Sequence, residues 1–388
     1  MELPAGALWL LPGAASLALL SVTFLLARRE ERALVVVEPH ALEGELLVVI
    51  PARDEAGRIG PTLEALLREP APGLRVLVYD DRSSDESLDV ARAQAARDPR
   101  LVVVDGSADP APARFGKPAA LARALEHADR LGLPAQGRVL FLDADVVTER
   151  GALGGLARAL DDSGAAALSG VPRLVTGSLV EALLVPAFVS LAARRFPPSK
   201  VHDDAQPAAF LNGQLILVER AALDDAGGFA GVADAILEDV ALAARLKAGG
   251  HALRLADLRQ VASTRMYDSL GGIVEGFGKN AVPLQGGPLA AALVGLLGLT
   301  TSLAAPLTLA GSLATAPSTW GLAGTAILAG VTLLQAGLRR RLGVPLWPAP
   351  LSPLTYAVVA FVLVRAALRV VAGGEVSWRG RRYPASRR

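Results

Sequence analysis

Long segments without any charged residue constrain this chain more than any other feature of its sequence. Residues 3–27 contain no charge, and a helix of that length crosses about 30 Å of hydrocarbon. Residues 280–338 also contain no charge, which is enough for two crossings. With 52% hydrophobic and 20% charged residues, the whole chain is too apolar for an ordinary soluble domain. The sequence therefore predicts several membrane helices.

Arginines follow both of these segments. Residues 28–32 contain three arginines, and residues 339–341 are all arginine. Because basic residues favour the cytoplasmic side, both ends are predicted to lie there. The charge follows the first apolar segment instead of preceding it, which favours a retained transmembrane helix, residues 1–28, over a cleaved signal peptide. We predict a multi-pass protein of the cell membrane, with a hairpin turn at residues 316–318.

The C-terminal membrane region, residues 281–374, is predicted to hold two to three membrane helices, and a basic tail follows at residues 375–388. Its last apolar stretch, about residues 353–372, includes Arg365 and Arg369. A full crossing here would place the basic tail outside, against the positive-inside bias. We therefore favour a tilted, re-entrant or interfacial segment at this position.

The middle of the chain, residues 44–280, carries nearly all the acidic residues and alternates short β-type runs with amphipathic helical patterns. This alternation predicts a cytoplasmic α/β domain with a doubly wound, mostly parallel sheet, helices on both faces, and ligands at the carboxyl ends of the strands. Residues 179–196 are predicted either to lie along the membrane surface or to pack on this domain as an ordinary helix. The predicted strands are residues 46–50, 74–79, 101–104 and 139–142.

Composition excludes several classes of function. The 39 basic and 38 acidic residues nearly balance, so the chain has no electrostatic footprint for nucleic acid. It contains no cysteine, which excludes a disulfide framework, a thiolate metal site and a catalytic cysteine. Any bound metal must therefore be held by oxygen or imidazole.

Acidic clusters follow three of the predicted strands. Residues 51–55 read Pro-Ala-Arg-Asp-Glu, residues 80–85 read Asp-Asp-Arg-Ser-Ser-Asp, and residues 143–145 read Asp-Ala-Asp. A lone Asp-x-Asp is more often a cap or a turn, but three clusters at one sheet edge need cations or ligand hydrogen bonds to offset their repulsion. A carboxylate pair of this kind suits Mg²⁺ or Mn²⁺ bridging substrate phosphates. The sequence therefore predicts a diphosphate substrate.

Two further positions carry candidate chemistry. Lys117 opens a helical stretch, where it is predicted either to face a phosphate or to be a solvated surface lysine. Glu238 and Asp239 begin an amphipathic helix, where acidic residues are favourable on dipole grounds alone. If Asp239 faces the cleft, it is a candidate general base towards an acceptor hydroxyl.

Taken in order, these motifs and Gly227-Gly228-Phe229 resemble glycosyltransferase family 2, which has the GT-A fold, over about residues 46–280. Each motif is weak alone, whereas the ordered set is specific. The resemblance implies a nucleotide site, a ribose contact, a metal ligand and a catalytic base. The implied nucleotide-binding residues are Pro51, Arg53, Glu55, Asp80 and Asp81, with Lys117 near the base or diphosphate, Asp143 at the ribose and the metal, Asp145 at the metal, Asp239 as base and Glu238 beside it.

Other motifs narrow the resemblance to a membrane-anchored bacterial subgroup that includes carotenoid glycosyltransferases of the diaponeurosporenoate type and hopanoid-associated enzymes. These motifs are Asn212-Gly213-Gln214, Arg265-Met266-Tyr267, and residues 276–280 and 376–381. The Gln-x-x-Arg-Trp motif of processive polysaccharide synthases is missing, so long-chain polymer synthesis is not expected. Arg265 lies roughly where this motif would be. The resemblance implies that Arg265 holds the departing diphosphate, and the alternative is an ordinary surface arginine.

The sequence thus predicts an inverting, metal-dependent glycosyltransferase that uses Mg²⁺ or Mn²⁺. Its donor would be a nucleoside diphosphate sugar, with UDP as the family's commonest nucleotide, and its acceptor a membrane lipid such as a carotenoid or hopanoid. Transfer to a polyprenyl phosphate or a glycerolipid is the enzymatic alternative. A non-catalytic, nucleotide-sugar-binding membrane protein is the alternative of another class, and nucleotide-sugar hydrolysis without an acceptor is a third.

Overall fold

The structure is a computed structural model that describes residues 5–110, 116–315, 319–378 and 381–384. The chain divides into two compact units. The sheet unit comprises residues 33–175 and 196–266, and the helical unit comprises residues 1–32, 176–195 and 267–388. The predicted turn at residues 316–318 lies outside the described residues, as does part of the basic tail.

The strands fall into a nine-stranded sheet, β1 to β9, and a separate hairpin, β10 and β11. Their bounds are β1 Val35–Val36, β2 Leu46–Ala52, β3 Leu74–Asp80, β4 Leu101–Asp105, β5 Arg138–Leu142, β6 Val146–Thr148, β7 Ala167–Leu174, β8 Leu215–Glu219, β9 Leu253–Thr264, β10 Glu375–Trp378 and β11 Arg381–Pro384.

The helices are distributed over both units, and three short 3-10 turns lie at Gly106–Ala108, Ala230–Val232 and Ala349–Leu351. The α-helices are α1 Ala5–Leu8, α2 Leu10–Glu31, α3 Ala56–Leu67, α4 Ser87–Ala95, α5 Gly116–Arg130, α6 Ala152–Ser163, α7 Leu179–Arg195, α8 Pro198–Val201, α9 Arg220–Asp225, α10 Glu238–Ala248, α11 Leu270–Gln285, α12 Pro288–Thr315, α13 Thr319–Arg341 and α14 Ser352–Val371.

The sheet is mostly parallel, as predicted. Its strand order is β1-β9-β7-β8-β5-β2-β3-β4, and β6 pairs with β9. Strands β5, β2, β3 and β4 are neighbours that pair in parallel, whereas β8 is antiparallel to both β5 and β7. The carboxyl ends of β5, β2 and β3 therefore meet at one edge, where the sequence places its three acidic clusters. β2 and β3 end one or two residues later than predicted.

Helices cover both faces of the sheet because alternate residues of each strand point to opposite sides. In β2, Ile50 packs into a core with Leu63 of α3, and helices α4 and α6 contribute to the same core. The adjacent Val49 packs into a second core with Leu121 of α5 and Leu242 of α10. This arrangement confirms the predicted α/β architecture with helices on both faces.

In the described part of the helical unit, four helices, α2, α12, α13 and α14, are long and apolar enough to cross a membrane. One is N-terminal and three are C-terminal, within the predicted number. Helix α7 also belongs to this unit and packs on α11, where the Phe188 and Phe277 rings stack at 4.3 Å. Both predicted positions of α7, along the membrane surface and on the α/β domain, stay predictions.

Close contacts at small residues give the direction of the first three apolar helices. The Ser16 hydroxyl of α2 donates to the Thr301 carbonyl of α12 at 2.7 Å, while Trp9 packs on Gly311, so α2 and α12 are antiparallel. In α13, Gly330 lies against Leu17, and the Arg341 guanidinium lies near the C-terminal end of α2. α13 therefore runs parallel to α2.

Helix α14 runs in the same direction as α13. Tyr356 packs on Gly298 of α12 and Leu363 packs on Gly295, so α14 is antiparallel to α12. Its first residues lie roughly halfway along α12, at 1.5 Å per residue. Helices α13 and α14 are consecutive in the chain and run in the same direction. They therefore do not form an up-and-down pair of crossings. The basic end of α14 lies at the same end of the unit as the arginines of α13, and the incomplete crossing of α14 stays a prediction.

Candidate functional site

Two turns at the sheet edge are locked to each other directly after β2 and β3. Asp54 and Arg82 both adopt left-handed backbone conformations, with φ of 55° and 57°. Each such non-glycine residue costs about 1–2 kcal/mol. The Asp54 carboxylate accepts hydrogen bonds from the Ser84 amide and hydroxyl at 2.7 and 3.0 Å, and the Asp54 amide donates to Ser83 Oγ at 3.0 Å. These bonds offset the strain and hold the two acidic turns as one frame.

The two aspartates at the end of β3 have different surroundings. Asp80 is buried, and its carboxylate accepts hydrogen bonds from the amide and hydroxyl of Ser83 at 2.9 and 2.5 Å. Burial raises the pKa of Asp80. Asp81 is also buried but lies beside two guanidinium groups, 3.7 Å from Arg53 and 3.1 Å from Arg82. The Asp80 carboxylate therefore holds the loop, whereas the Arg53–Asp81 pair is the candidate contact for a nucleotide.

Glu55 is fixed at the start of α3. Its amide donates to Ser87 Oγ at 2.6 Å, and its carboxylate pairs with Arg58 at 3.2 Å. The role of Arg58 was missed from the sequence, although its spacing of three residues from Glu55 on a helix was the available signal. Pro51 lies inside β2, paired with Tyr79, and not in the loop after the strand.

Lys117 joins three elements of the sheet unit. Its Nζ lies 2.6 Å from Asp143 Oδ1 and 3.5 Å from Glu238 Oε1, and it donates to the Gly213 carbonyl at 3.1 Å. Burial alone would lower the pKa of Lys117, but Asp143 and Glu238 outweigh it and raise the pKa. Lys117 is therefore a cation held by the end of β5 and the start of α10, and not a solvated surface lysine.

Asp239 lies next to this lysine. Its Oδ2 accepts from the Gly213 amide and its Oδ1 from the Val240 amide, both at 2.8 Å. Burial, followed by the nearby Glu238 carboxylate, raises the pKa of Asp239 to about 6. A carboxylate with that pKa is a stronger base than an ordinary aspartate and is still ionised at neutral pH. Asp239 is therefore the candidate general base of the site.

The turn at residues 212–214 holds the backbone on which both charged groups rest. The Asn212 side chain donates to the Gly170 carbonyl at 2.9 Å and to Gln214 Oε1 at 3.1 Å. The Gln214 carbonyl accepts from the Asp143 amide at 2.9 Å. These bonds fix Gly213 between Lys117 and Asp239. The sequence alone identified Gly213 only as a glycine between two amide residues.

A side chain at Gly213 is expected to displace Asp239 and Lys117 by a few tenths of an ångström. A Cβ there would lie 3.0 Å from Asp239 Oδ2 and 3.2 Å from Lys117 Nζ, whereas a Cβ at Gly137 would contact nothing within 4 Å. We expect Gly213→Ala to lower kcat at least tenfold, because misplacing a catalytic group by a fraction of an ångström is costly. The matched variant Gly137→Ala should keep normal activity. Equal kcat values for the two variants, measured by product formation, would show that this contact does not matter.

Asp145 is the candidate ligand for a divalent cation. Its Oδ1 is buried without a hydrogen-bond partner in the part of the chain that the structure describes. Burial, then Asp143 and Glu55, raise the pKa of Asp145. The described residues contain no group of three or more histidine or acidic side chains arranged for a metal. One carboxylate with an unused oxygen still fits Mg²⁺ or Mn²⁺, which take further ligands from phosphate and water.

Two predicted site residues are less well placed. Asp143, predicted as a second metal ligand, has one carboxylate oxygen engaged by Lys117 at 2.6 Å. Asp145 is therefore the better candidate of the pair. Arg265 follows β9 directly and is exposed. Its predicted contact with a departing diphosphate stays a prediction.

Most of the sheet unit is similar in sequence to one family of known proteins. A sequence model described as "Glycosyltransferase like family 2" matches residues 44–266, more than half of the chain. The chain belongs to this glycosyltransferase family. The match covers the sheet unit and confirms the family that the ordered motifs indicated.

Individual relatives of this glycosyltransferase are more distant. The 4,4'-diaponeurosporenoate glycosyltransferase of Staphylococcus aureus is 36% identical over 101 residues, which is 26% of this chain and 24% of the relative. The chain thus matches about a quarter of that protein's length. The mannosyltransferase PcManGT of Pyrobaculum calidifontis, solved with GDP-Man and Mn²⁺, has a TM-score of 0.55 at 20% identity over 94% of this chain and 98% of that one. This likeness confirms the GT-A fold.

Proposed function

We propose that this glycosyltransferase moves a sugar from a nucleoside diphosphate sugar to a lipid acceptor in the membrane, with inversion at the anomeric carbon. The observation that carries the proposal is the position of Asp239, an aspartate with a raised pKa held next to Lys117 at the carboxyl edge of the sheet. Ligands of open α/β sheets bind at this edge. The complex of PcManGT with GDP-Man and Mn²⁺ supports a nucleotide-sugar donor.

The donor would lie across the locked turns after β2 and β3. Arg53 and Asp81 would contact the nucleotide, since they form a charge pair at the end of β3 and the Arg53 side chain is partly exposed. Lys117 would face the diphosphate, because its ammonium carries a fixed positive charge at the N-terminal end of α5. Glu55 would hold the α3 turn next to them.

The transfer would be a single displacement. An acceptor oxygen attacks the anomeric carbon, the bond from that carbon to the diphosphate oxygen breaks, and the electron pair leaves with the nucleoside diphosphate. Asp239 takes the proton of an acceptor hydroxyl, while Glu238 stays paired with Lys117. Asp145 would hold Mg²⁺ or Mn²⁺, whose positive charge stabilises the departing diphosphate.

A membrane lipid is the proposed acceptor because four apolar helices accompany the sheet unit. A carotenoid or a hopanoid fits an acceptor that reaches the enzyme from the bilayer, and the partial match to a diaponeurosporenoate glycosyltransferase supports the carotenoid. The sheet unit would lie in the cytoplasm, the side that the arginines in the last turns of α2 and α13 favour.

Removal of divalent cations should abolish the activity. We expect EDTA to reduce transfer at least about 100-fold and Mn²⁺ or Mg²⁺ to restore it, because loss of one charge-stabilising group at a developing anion costs that much. The readout is the initial rate at saturating donor before and after adding each cation. An unchanged rate in EDTA would contradict a metal at Asp145.

The test of the proposed function is nucleoside diphosphate release by the full-length protein in nanodiscs. UDP-glucose, UDP-N-acetylglucosamine and GDP-mannose are offered separately, each with and without a bacterial lipid extract. Release that depends on the lipid extract supports transfer to a lipid. Equal release with and without the extract would indicate a hydrolase, and no release from any donor despite saturable donor binding would indicate a binding protein.

A further inference from the structure

The exposed face of α14 carries a shallow groove of about 490 Å³. Its lining is apolar except for two arginines that lie one helical turn apart, Arg365 and Arg369. The Arg365 guanidinium lies 6.0 Å from the centre of the Phe361 ring, within the range of a cation–π contact. The lining residues are Phe361, Val364, Arg365, Leu368, Arg369 and Ala372.

These two arginines differ from those at the end of α13. The Arg339 guanidinium donates to the carbonyls of Pro345, at 2.7 Å, and Ala182, and Arg341 pairs with Glu31. Among residues 5–110, 116–315 and 319–374, no carboxylate lies within ion-pairing distance of Arg365 or Arg369. If this apolar face meets lipid, the two cations on it are costly without water or a counter-charge beside them.

The arginines of α14 lie at the level where the apolar part of α2 ends. At 1.5 Å per residue, Arg365 lies about 14 Å beyond Tyr356, whose contact Gly298 is about 15 Å from the start of α12. By the same measure, Arg28 lies about 18 Å beyond Ser16 along α2. The α12 partner of Ser16 is Thr301, which lies about 20 Å from the start of α12. Arg365 and Arg28 are therefore both level with the start of α12, and Arg369 lies about one turn further out.

This level is where lipid head groups lie if the apolar helices cross a bilayer. An arginine side chain at the end of an apolar segment extends to the interface, where its charge meets phosphate groups. A phosphodiester can accept hydrogen bonds from two guanidinium groups, while the acyl carbons next to it pack on apolar side chains such as Phe361 and Leu368. The groove offers both surfaces side by side.

We propose that the α14 groove binds an anionic phospholipid of the surrounding bilayer, with its phosphate between Arg365 and Arg369 and its first acyl carbons on Phe361 and Leu368. This site is separate from the sugar-transfer chemistry and does not rest on it. Bound lipid would hold the C-terminal end of α14 at the interface.

The test measures binding of fluorescent phosphatidylglycerol to the full-length protein in phosphatidylcholine nanodiscs. We expect Arg365→Gln/Arg369→Gln to weaken binding at least about 30-fold, since each variant side chain removes a charge-assisted hydrogen bond to the phosphate, worth at least about fivefold. The matched control is Arg28→Gln/Arg29→Gln, which removes two exposed arginines at the same level outside the groove. It should weaken binding less than threefold. Fluorescent phosphatidylcholine should show no difference among the three proteins.

Equal loss in the two double variants would overturn the proposal, because it would reduce the effect to general surface charge. Unchanged binding in Arg365→Gln/Arg369→Gln would overturn it as well. Should that variant fold poorly by size-exclusion profile, the single exposed change Arg369→Gln decides, with Arg369→Lys expected to recover most of the affinity. No recovery by lysine together with a normal profile would mean that charge is not what the groove provides.

Discussion

Replacing Asp239 with asparagine is expected to slow transfer to a hydroxyl acceptor by about 10³-fold, within the range for loss of a general base. Asparagine keeps the shape of the side chain and can still accept the Gly213 amide hydrogen bond, seen at 2.8 Å in the native protein. The change removes the basic oxygen and the hydrogen bond that Oδ1 accepts from the Val240 amide at 2.8 Å, because the asparagine amide nitrogen cannot accept. The measurement is kcat for the purified full-length protein with a lipid alcohol. Asp162→Asn, an exposed change on α6, is the matched control and should leave kcat unchanged.

The pH profile gives a second readout for Asp239. Its carboxylate works as a base only when deprotonated, so kcat/KM with a hydroxyl acceptor should rise with pH through about 6 and then level off. A carboxylate acceptor, such as a carotenoid acid, is already ionised and should show a weaker rise and a smaller loss in Asp239→Asn. Equal losses for both acceptors would contradict a proton-transfer role for this residue.

Asp145→Asn is expected to have opposite effects on activity and on stability. Activity should fall at least about 100-fold, because the proposed cation ligand is lost. The ligand-free protein should become more stable at pH 8, since burial and the carboxylates nearby raise the pKa of Asp145. A carboxyl with a raised folded-state pKa contributes stability below its unfolded pKa and loses that contribution as pH rises through the folded value.

The stability gain from Asp145→Asn should therefore be larger at pH 8 than at pH 4. It is measured as the shift of the thermal unfolding midpoint without nucleotide or metal, with Asp162→Asn as the control. A midpoint that falls at pH 8 would show that the Asp145 carboxylate stabilises the empty fold, which contradicts a raised pKa for this group. Native activity in this variant would remove Asp145 from the proposed cation site.

The fold could be predicted from sequence because its signals are periodic. Alternate residues of β2 enter opposite cores, as Ile50 and Val49 do, so burial on both faces was readable from a continuous apolar run. The acidic clusters were readable because parallel strands end at one edge. The direction of α14 was less accessible, since it depends on small-residue contacts such as Tyr356 on Gly298 that no local pattern shows.

The site was only partly predictable for a similar reason. Sequence identified the charged residues but not their partners, because ion pairs such as Lys117 with Asp143 join segments that are distant in the chain. It also did not separate Asp80, which holds its loop through Ser83, from the neighbouring Asp81. Side-chain hydrogen bonds decide which of two adjacent carboxylates faces a ligand, and they depend on three-dimensional structure.

Transfer to lipid is tested most directly by following a radiolabelled sugar into the organic phase. The full-length protein is reconstituted with a lipid extract and Mn²⁺, and each labelled donor is offered to the native protein, Asp239→Asn and Asp162→Asn. We predict label in the organic phase with the native protein and Asp162→Asn, and a loss of about 10³-fold in initial rate with Asp239→Asn. Organic-phase label that forms equally fast with Asp239→Asn, or label that stays in water for every donor, would contradict a lipid glycosyltransferase built around this site.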